Sequence, residues 1–109
     1  MFKGFPEDIH ELYEKFRDVI LALDPEIVTK FTKLYAAFKK NGSNVCDLEP
    51  FKGSLCIFIN LAKGELKDGL GLATDVSKIG HHGNGDYRIQ IKDAEQYEYI
   101  LSLIKQAIK

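Results

Sequence analysis

The run S-L-C-I-F-I-N-L-A, residues 54–62, constrains this chain more than any other. It is nearly all apolar and rich in β-branched and aromatic side chains, which marks a strand at the centre of a sheet. Upstream, F-T-K-L-Y-A-A-F-K-K and N-V-C-D-L-E-P-F flank N-G-S. Asn41-Gly42 signals a tight hairpin there, because both residues tolerate positive φ. A turn over Pro50-Phe51-Lys52-Gly53 then leads into the apolar strand, so the three strands form an antiparallel meander. Downstream, D-Y-R-I-Q-I-K alternates, with Tyr87, Ile89 and Ile91 on one face and Asp86, Arg88, Gln90 and Lys92 on the other.

Two helical patterns bracket these strands. Ile9, Leu12, Tyr13, Phe16, Val19, Ile20 and Leu23 recur at helical spacing, with Pro6, Glu7 and Asp8 suited to the first turn. Asp24-Pro25 predicts a short second helix or turn from 25 to about 30. Near the end, Asp93 with Gln96 reads as a capping box. It opens a helix whose stripe is Tyr97, Ile100, Leu101, Ile104 and Ile108. Between strands, residues 63–80 carry Gly64, Gly69 and Gly71, which predicts an irregular crossing with one helical turn around Leu72 to Val76. The expected order is α-α-β-β-β-loop-β-α. This is an α+β fold with an antiparallel sheet of about four strands and the N-terminal and C-terminal helices on one face. The 109 residues suffice for one domain, 1–109.

Charge narrows the partners. The net charge is −1, so nothing global draws this chain to nucleic acid or acidic membranes, and any basic surface is local. The longest apolar run, Leu55 to Ile59, is too short to span a bilayer, and the first ten residues lack a secretory apolar core. The expected location is the cytoplasm. Cys46 and Cys56 fall in adjacent strands, so a cross-strand disulfide is conceivable, while reduced thiols suit that compartment better.

The densest chemistry lies in S-K-I-G-H-H-G-N-G-D, residues 77–86. Its glycines allow a sharp turn, and Asn84 and Asp86 can bond local backbone, so a tight turn is the simplest reading. An anion-binding nest is the sharper one, although no phosphate-loop motif is present. His81 could act as a general base. With Asp75, Asp47 and Glu49 it could also join a metal site, but adjacent histidines diverge from a strand and no ligand-pair motif exists, so no metal is expected. D-L-E-P puts Asp47 and Glu49 on one strand face, where paired acids serve catalysis or, more commonly, keep a solvent-facing or edge strand soluble. Lysines and aromatics crowd the strands and loops, a composition able to bind single-stranded nucleic acid if the basic residues share a surface.

Taken in order, T-K-L-Y-A-A-F-K-K, V-C-D-L-E-P, I-F-I-N-L-A-K-G-E-L, G-L-A-T-D-V-S-K-I-G-H-H-G-N-G-D-Y-R-I-Q-I and Y-I-L-S-L-I-K-Q-A resemble a bacterial and archaeal domain of unknown function. That domain is found at the C-terminus of chains labelled "predicted transport protein", behind a restriction-endonuclease-like domain. The resemblance runs from about Leu12 to Lys109 and includes Asp47, Glu49, Lys63, Gly64, Glu65, Asp75, His81, Gly83, Asn84, Gly85 and Asp86. In the family pattern a tryptophan usually follows the first histidine, where this chain has His82.

The resemblance implies work near nucleic acid. The leading expectation is therefore a non-catalytic module binding nucleic acid or a nuclease partner, with no cofactor. Lys63, Lys78 and Arg88 would meet phosphates, and His81, His82 and Asn84 would contact the ligand. The alternatives are a small hydrolase or metal-binding protein using Asp47, Glu49, Asp75 and His81, and a homodimer joined through an exposed strand or a helix stripe.

Overall fold

The computed structural model describes residues 2–79 and 85–108. Helix α1, Glu7–Leu21, buries Ile9, Leu12, Tyr13, Phe16 and Ile20, the stripe its spacing predicts. Pro6 sits at the N-cap, and its carbonyl accepts the amides of Ile9 and His10 at 3.1 and 3.3 Å. Phe2 stacks on His10 and tilts against Tyr13, closing the first turn.

The segment expected as a short second helix or turn is a strand, β1, Ile27–Phe31. Ile27, Val28 and Thr29 are consecutive β-branched residues, stiff at χ1 and suited to a pleated surface. Asp24 shapes the entry turn: its Oδ1 accepts the Glu26 amide at 2.9 Å and its carbonyl accepts the Ile27 amide at 3.1 Å. The Lys40 ammonium lies 2.7 Å from the same carboxylate, which holds it below the usual carboxylate range.

Strands β2, Ala36–Lys40, β3, Ser43–Pro50, and β4, Leu55–Ile59, follow. Asn41 and Gly42 take φ of 52° and 82° at the hairpin tip, the conformation their sequence signals. The meander is thus four strands long, one more than expected. Next come β5, Thr74–Asp75, and β6, Tyr87–Ile91. The described residues form one six-stranded sheet in the order β1-β2-β3-β4-β6-β5, with every neighbouring pair antiparallel.

Six strands replace the expected four because two short segments, expected as a helix or turn and as a helical turn, are strands. β5 stands where a helical turn over 72–76 was expected, with Thr74 opposite Arg88 and Asp75 opposite Tyr87. Helix α2, Tyr97–Lys105, starts from Gln96 with no side-chain cap. The predicted capping box does not form: Asp93 Oδ1 instead accepts the Glu95 amide at 3.1 Å, one residue before Gln96.

Both helices pack on the same sheet face. Phe16 and Ile20 of α1 and Ile100, Leu103 and Ile104 of α2 meet Leu48, Leu55, Ile57, Ile59 and Ile89 in one core. The opposite face holds a smaller buried cluster of Cys56, Phe58 and Val76. Cys46 belongs to the helix-side core and pairs with Ile59, whereas Cys56 pairs with Glu49. The two thiols are free and point to opposite faces, so the conceivable cross-strand disulfide has no geometry to form in.

Candidate functional site

At the β4–β6 end of the sheet, two loops brace each other. Asn60 follows β4, and its amide donates to the Val45 carbonyl at 3.0 Å while its side chain donates to the Asn44 carbonyl at 2.8 Å. These carbonyls belong to the two residues beside the β2–β3 register shift. The chain then turns over Ala62–Glu65, with the Glu65 carboxylate accepting the Ala62 amide at 2.7 Å.

Asp86 fastens this turn from the other side. Its carboxylate accepts the Lys63 amide at 2.9 Å, its own amide donates to the Leu61 carbonyl at 3.0 Å, and the Tyr87 hydroxyl accepts the Gly64 amide at 2.7 Å. Gly85 makes the approach possible. Its φ is +90°, and a Cβ there would stand 2.1 Å from the Ile59 carbonyl oxygen. Asp86 therefore bonds backbone 23 residues away, where the tight-turn reading of the glycine-rich stretch has it bond local backbone. His81, His82 and Asn84, with Gly80 and Gly83, lie outside the described residues.

The bracing uses the Lys63 backbone and leaves its side chain exposed. Lys63, Asp75, Ser77, Lys78 and Ile79 line an open cleft of about 230 Å³. Asp75 Oδ1 accepts the Ser77 amide at 2.9 Å. The Ser77 hydroxyl and amide, and then the charges of Lys63 and Lys78, hold the Asp75 carboxyl below its ordinary pKa. Two ammonium groups thus act on one carboxylate, and the cleft keeps a net positive charge. Arg88 sits on β6 opposite Thr74, half-buried, and its charge acts on the Cys56 thiol.

Asp47 and Glu49 share a face, as their spacing predicts, but they do not occupy an exposed or edge strand. β3 is flanked by β2 and β4, and the two residues are 0 % and 5 % exposed. They lie on the face opposite the helices, in cross-strand rows that run Asp47–Phe58–Arg88 and Glu49–Cys56–Gln90. Gln90 Nε2 donates to the Ser54 hydroxyl at 2.9 Å in the second row. Burial pushes the Cys56 thiol up to about 11, with Arg88 opposing and Glu49 adding to the shift. Burial drives Cys46 up further still.

Asp75, on β5, is three strands from Asp47, roughly 14 Å at the usual strand spacing. Those carboxylates therefore belong to two places. Among the described residues no group of three His, Cys, Asp or Glu side chains is placed to hold a metal ion.

A further set of anchors has no local sequence signal. The Asp68 carboxylate takes the Tyr99 hydroxyl and the Ala73 amide, the latter at 2.7 Å, and Tyr99 also accepts the Leu70 amide at 3.0 Å. Gln106 clamps Lys67 twice, accepting its amide at 2.9 Å and donating to its carbonyl at 2.8 Å. These contacts tie the crossing between β4 and β5 to α2, across 31 and 39 residues of chain.

The chain is similar to an uncharacterized protein of Haemophilus influenzae, with 54% identity over 101 residues. That match covers 93% of this chain and 33% of the relative, so the chain spans about a third of its curated relative's length. No solved structure matches the chain. No helix among the described residues is long and apolar enough to cross a membrane. A family model described as a domain of unknown function matches residues 1–109, and the chain therefore belongs to that family, DUF5655.

Proposed function

We propose that this domain is a non-catalytic, cytoplasmic binding module that contacts the phosphate backbone of a nucleic acid through Lys63 and Lys78, with Arg88 one strand away. The observation that carries this reading is the shared cleft: two exposed lysines fifteen positions apart in sequence line one opening. Hydrogen bonds to Asp86 and Tyr87 hold the backbone beneath Lys63, so its ammonium is offered from an ordered support. Ile79, 54 % exposed on the cleft wall, supplies an apolar surface for a sugar or base. The resemblance to domains found behind restriction-endonuclease-like domains supports a partner of that class, either the nucleic acid or the nuclease.

Fluorescence anisotropy with a labelled single-stranded oligonucleotide at two salt concentrations tests the reading. Binding should weaken as salt rises, with a log–log slope of about −0.7 per phosphate contact. Lys63→Ala/Lys78→Ala should reduce both affinity and slope. Binding indifferent to salt, or to that double substitution, contradicts it.

A further inference from the structure

The sheet has two unlike edges. β5 is two residues long, one of the ways natural sheets blunt an edge. β1 has five residues, no proline and an unbroken register with β2, and among the described residues no strand pairs with its outer side. Val28 and Phe31 on it are 59 % and 62 % exposed.

Hydrogen bonding decides which backbone groups face outward. The Thr32 amide donates to the Tyr35 carbonyl at 2.9 Å, so Thr32–Tyr35 is a bonded pair at the end of the β1–β2 hairpin. Alternation along an antiparallel ladder then makes Lys30–Ala37 and Val28–Lys39 the bonded pairs. Thr29 and Phe31 are left with amide and carbonyl aimed away from the sheet. The Ile27 carbonyl also points outward, whereas its amide is taken by the Asp24 carbonyl at 3.1 Å.

We propose that a second copy of this chain occupies this edge, with β1 pairing antiparallel to the partner's β1 about a two-fold axis at Thr29. Each Thr29 amide donates to the partner's Thr29 carbonyl, and each Phe31 amide to the partner's Ile27 carbonyl. All outward donors of β1 are then used, and the Asp24 turn is undisturbed. Phe31 covers the partner's Ile27 on the helix side, and the two Thr29 side chains face each other, a favourable cross-strand pair.

On the other face Lys30 falls opposite the partner's Val28 and diagonal to both the partner's Glu26 and the partner's Lys30, so one attractive and one repulsive contact oppose each other there. Shifted registers are worse. A two-fold axis at Lys30 sets two ammonium groups face to face, and one at Val28 asks the Ile27 amide to serve two acceptors. The edge is self-complementary in one register, and a second copy is the partner that matches it.

Light scattering and hydrogen exchange from about 10 μM to about 1 mM, the range of a small interface, test this. Mass should rise toward a dimer. Exchange at Thr29 and Phe31 should slow with concentration, while the inward-bonded amides of Val28 and Lys30 stay unchanged. Lys30→Glu and Glu26→Lys should each weaken association about 2- to 5-fold per ion pair, and the double charge swap should restore it. Phe31→Lys should abolish it. A monomer throughout the range overturns the proposal, as does a dimer indifferent to these substitutions.

Discussion

The carboxylate of Asp86 and the backbone amide of Lys63 meet at 2.9 Å, joining segments 23 residues apart. The bond settles where Lys63 stands, and so what its side chain can reach. Asp86→Ala should lower stability by about 1–2 kcal/mol, the loss expected for a charge-assisted bond on a half-buried group. Asp86→Asn, which keeps an acceptor oxygen, should lose less. Urea unfolding monitored by circular dichroism reads both.

Gly85 should be the least replaceable glycine among those described. An added methyl group would meet the Ile59 carbonyl at 2.1 Å, in a conformation with φ of +90°. Gly85→Ala should cost about 3 kcal/mol or more, because backbone must move and strain adds to the clash. Gly53→Ala, which meets nothing within 4 Å and has no positive φ, serves as the control and should be nearly neutral.

Asp68 should make the domain acid-sensitive. Burial pulls its pKa up, but hydrogen bonds from Tyr99 and from the amides of Ala73, Leu72 and Gly71 outweigh burial, and the net shift is down. A carboxyl depressed in the folded state stabilises it fully above the unfolded pKa of about 3.9, and that contribution is lost as pH falls through the folded value. Asp68→Asn should therefore be less stable than the parent at neutral pH. The gap should narrow at about pH 3, as two urea series will show.

The thiols should be inert in the native state. Cys46 and Cys56 are buried, and Cys56 is pushed up to about 11, so the reactive thiolate is scarce at neutral pH. A disulfide-exchange reagent should label neither thiol without denaturant and both in urea. Oxidation should yield no internal disulfide, since the side chains lie on opposite faces.

The elements that a local pattern dictates were legible in the sequence. The spacing of Ile9 to Ile20 marks α1, Asn41-Gly42 marks its hairpin, and alternation from Tyr87 to Ile91 marks β6. β1 was hidden because Asp24-Pro25 imitates a helix start, while the pairing of Ile27 to Phe31 with Lys40 to Ala36 outweighs that signal. β5 exists only through its partner strand, so no window of sequence around Thr74 could reveal it.

In the candidate site, Lys63 and Lys78 were legible as basic residues but not as neighbours. Their shared cleft depends on Asp86 and Gly85 drawing two loops together. The burial of Asp47 and Glu49 was likewise unreadable, because two acids ahead of a proline look the same on an edge strand and on an interior one.

The most direct test of the binding reading is an NMR titration of the ¹⁵N-labelled domain with a short single-stranded oligonucleotide at low salt. The account predicts shifts concentrated at Lys63, Gly64 and Asp75 to Ile79, fading as salt is added. Shifts that leave those amides still and cluster elsewhere, or no shifts at all, would contradict it.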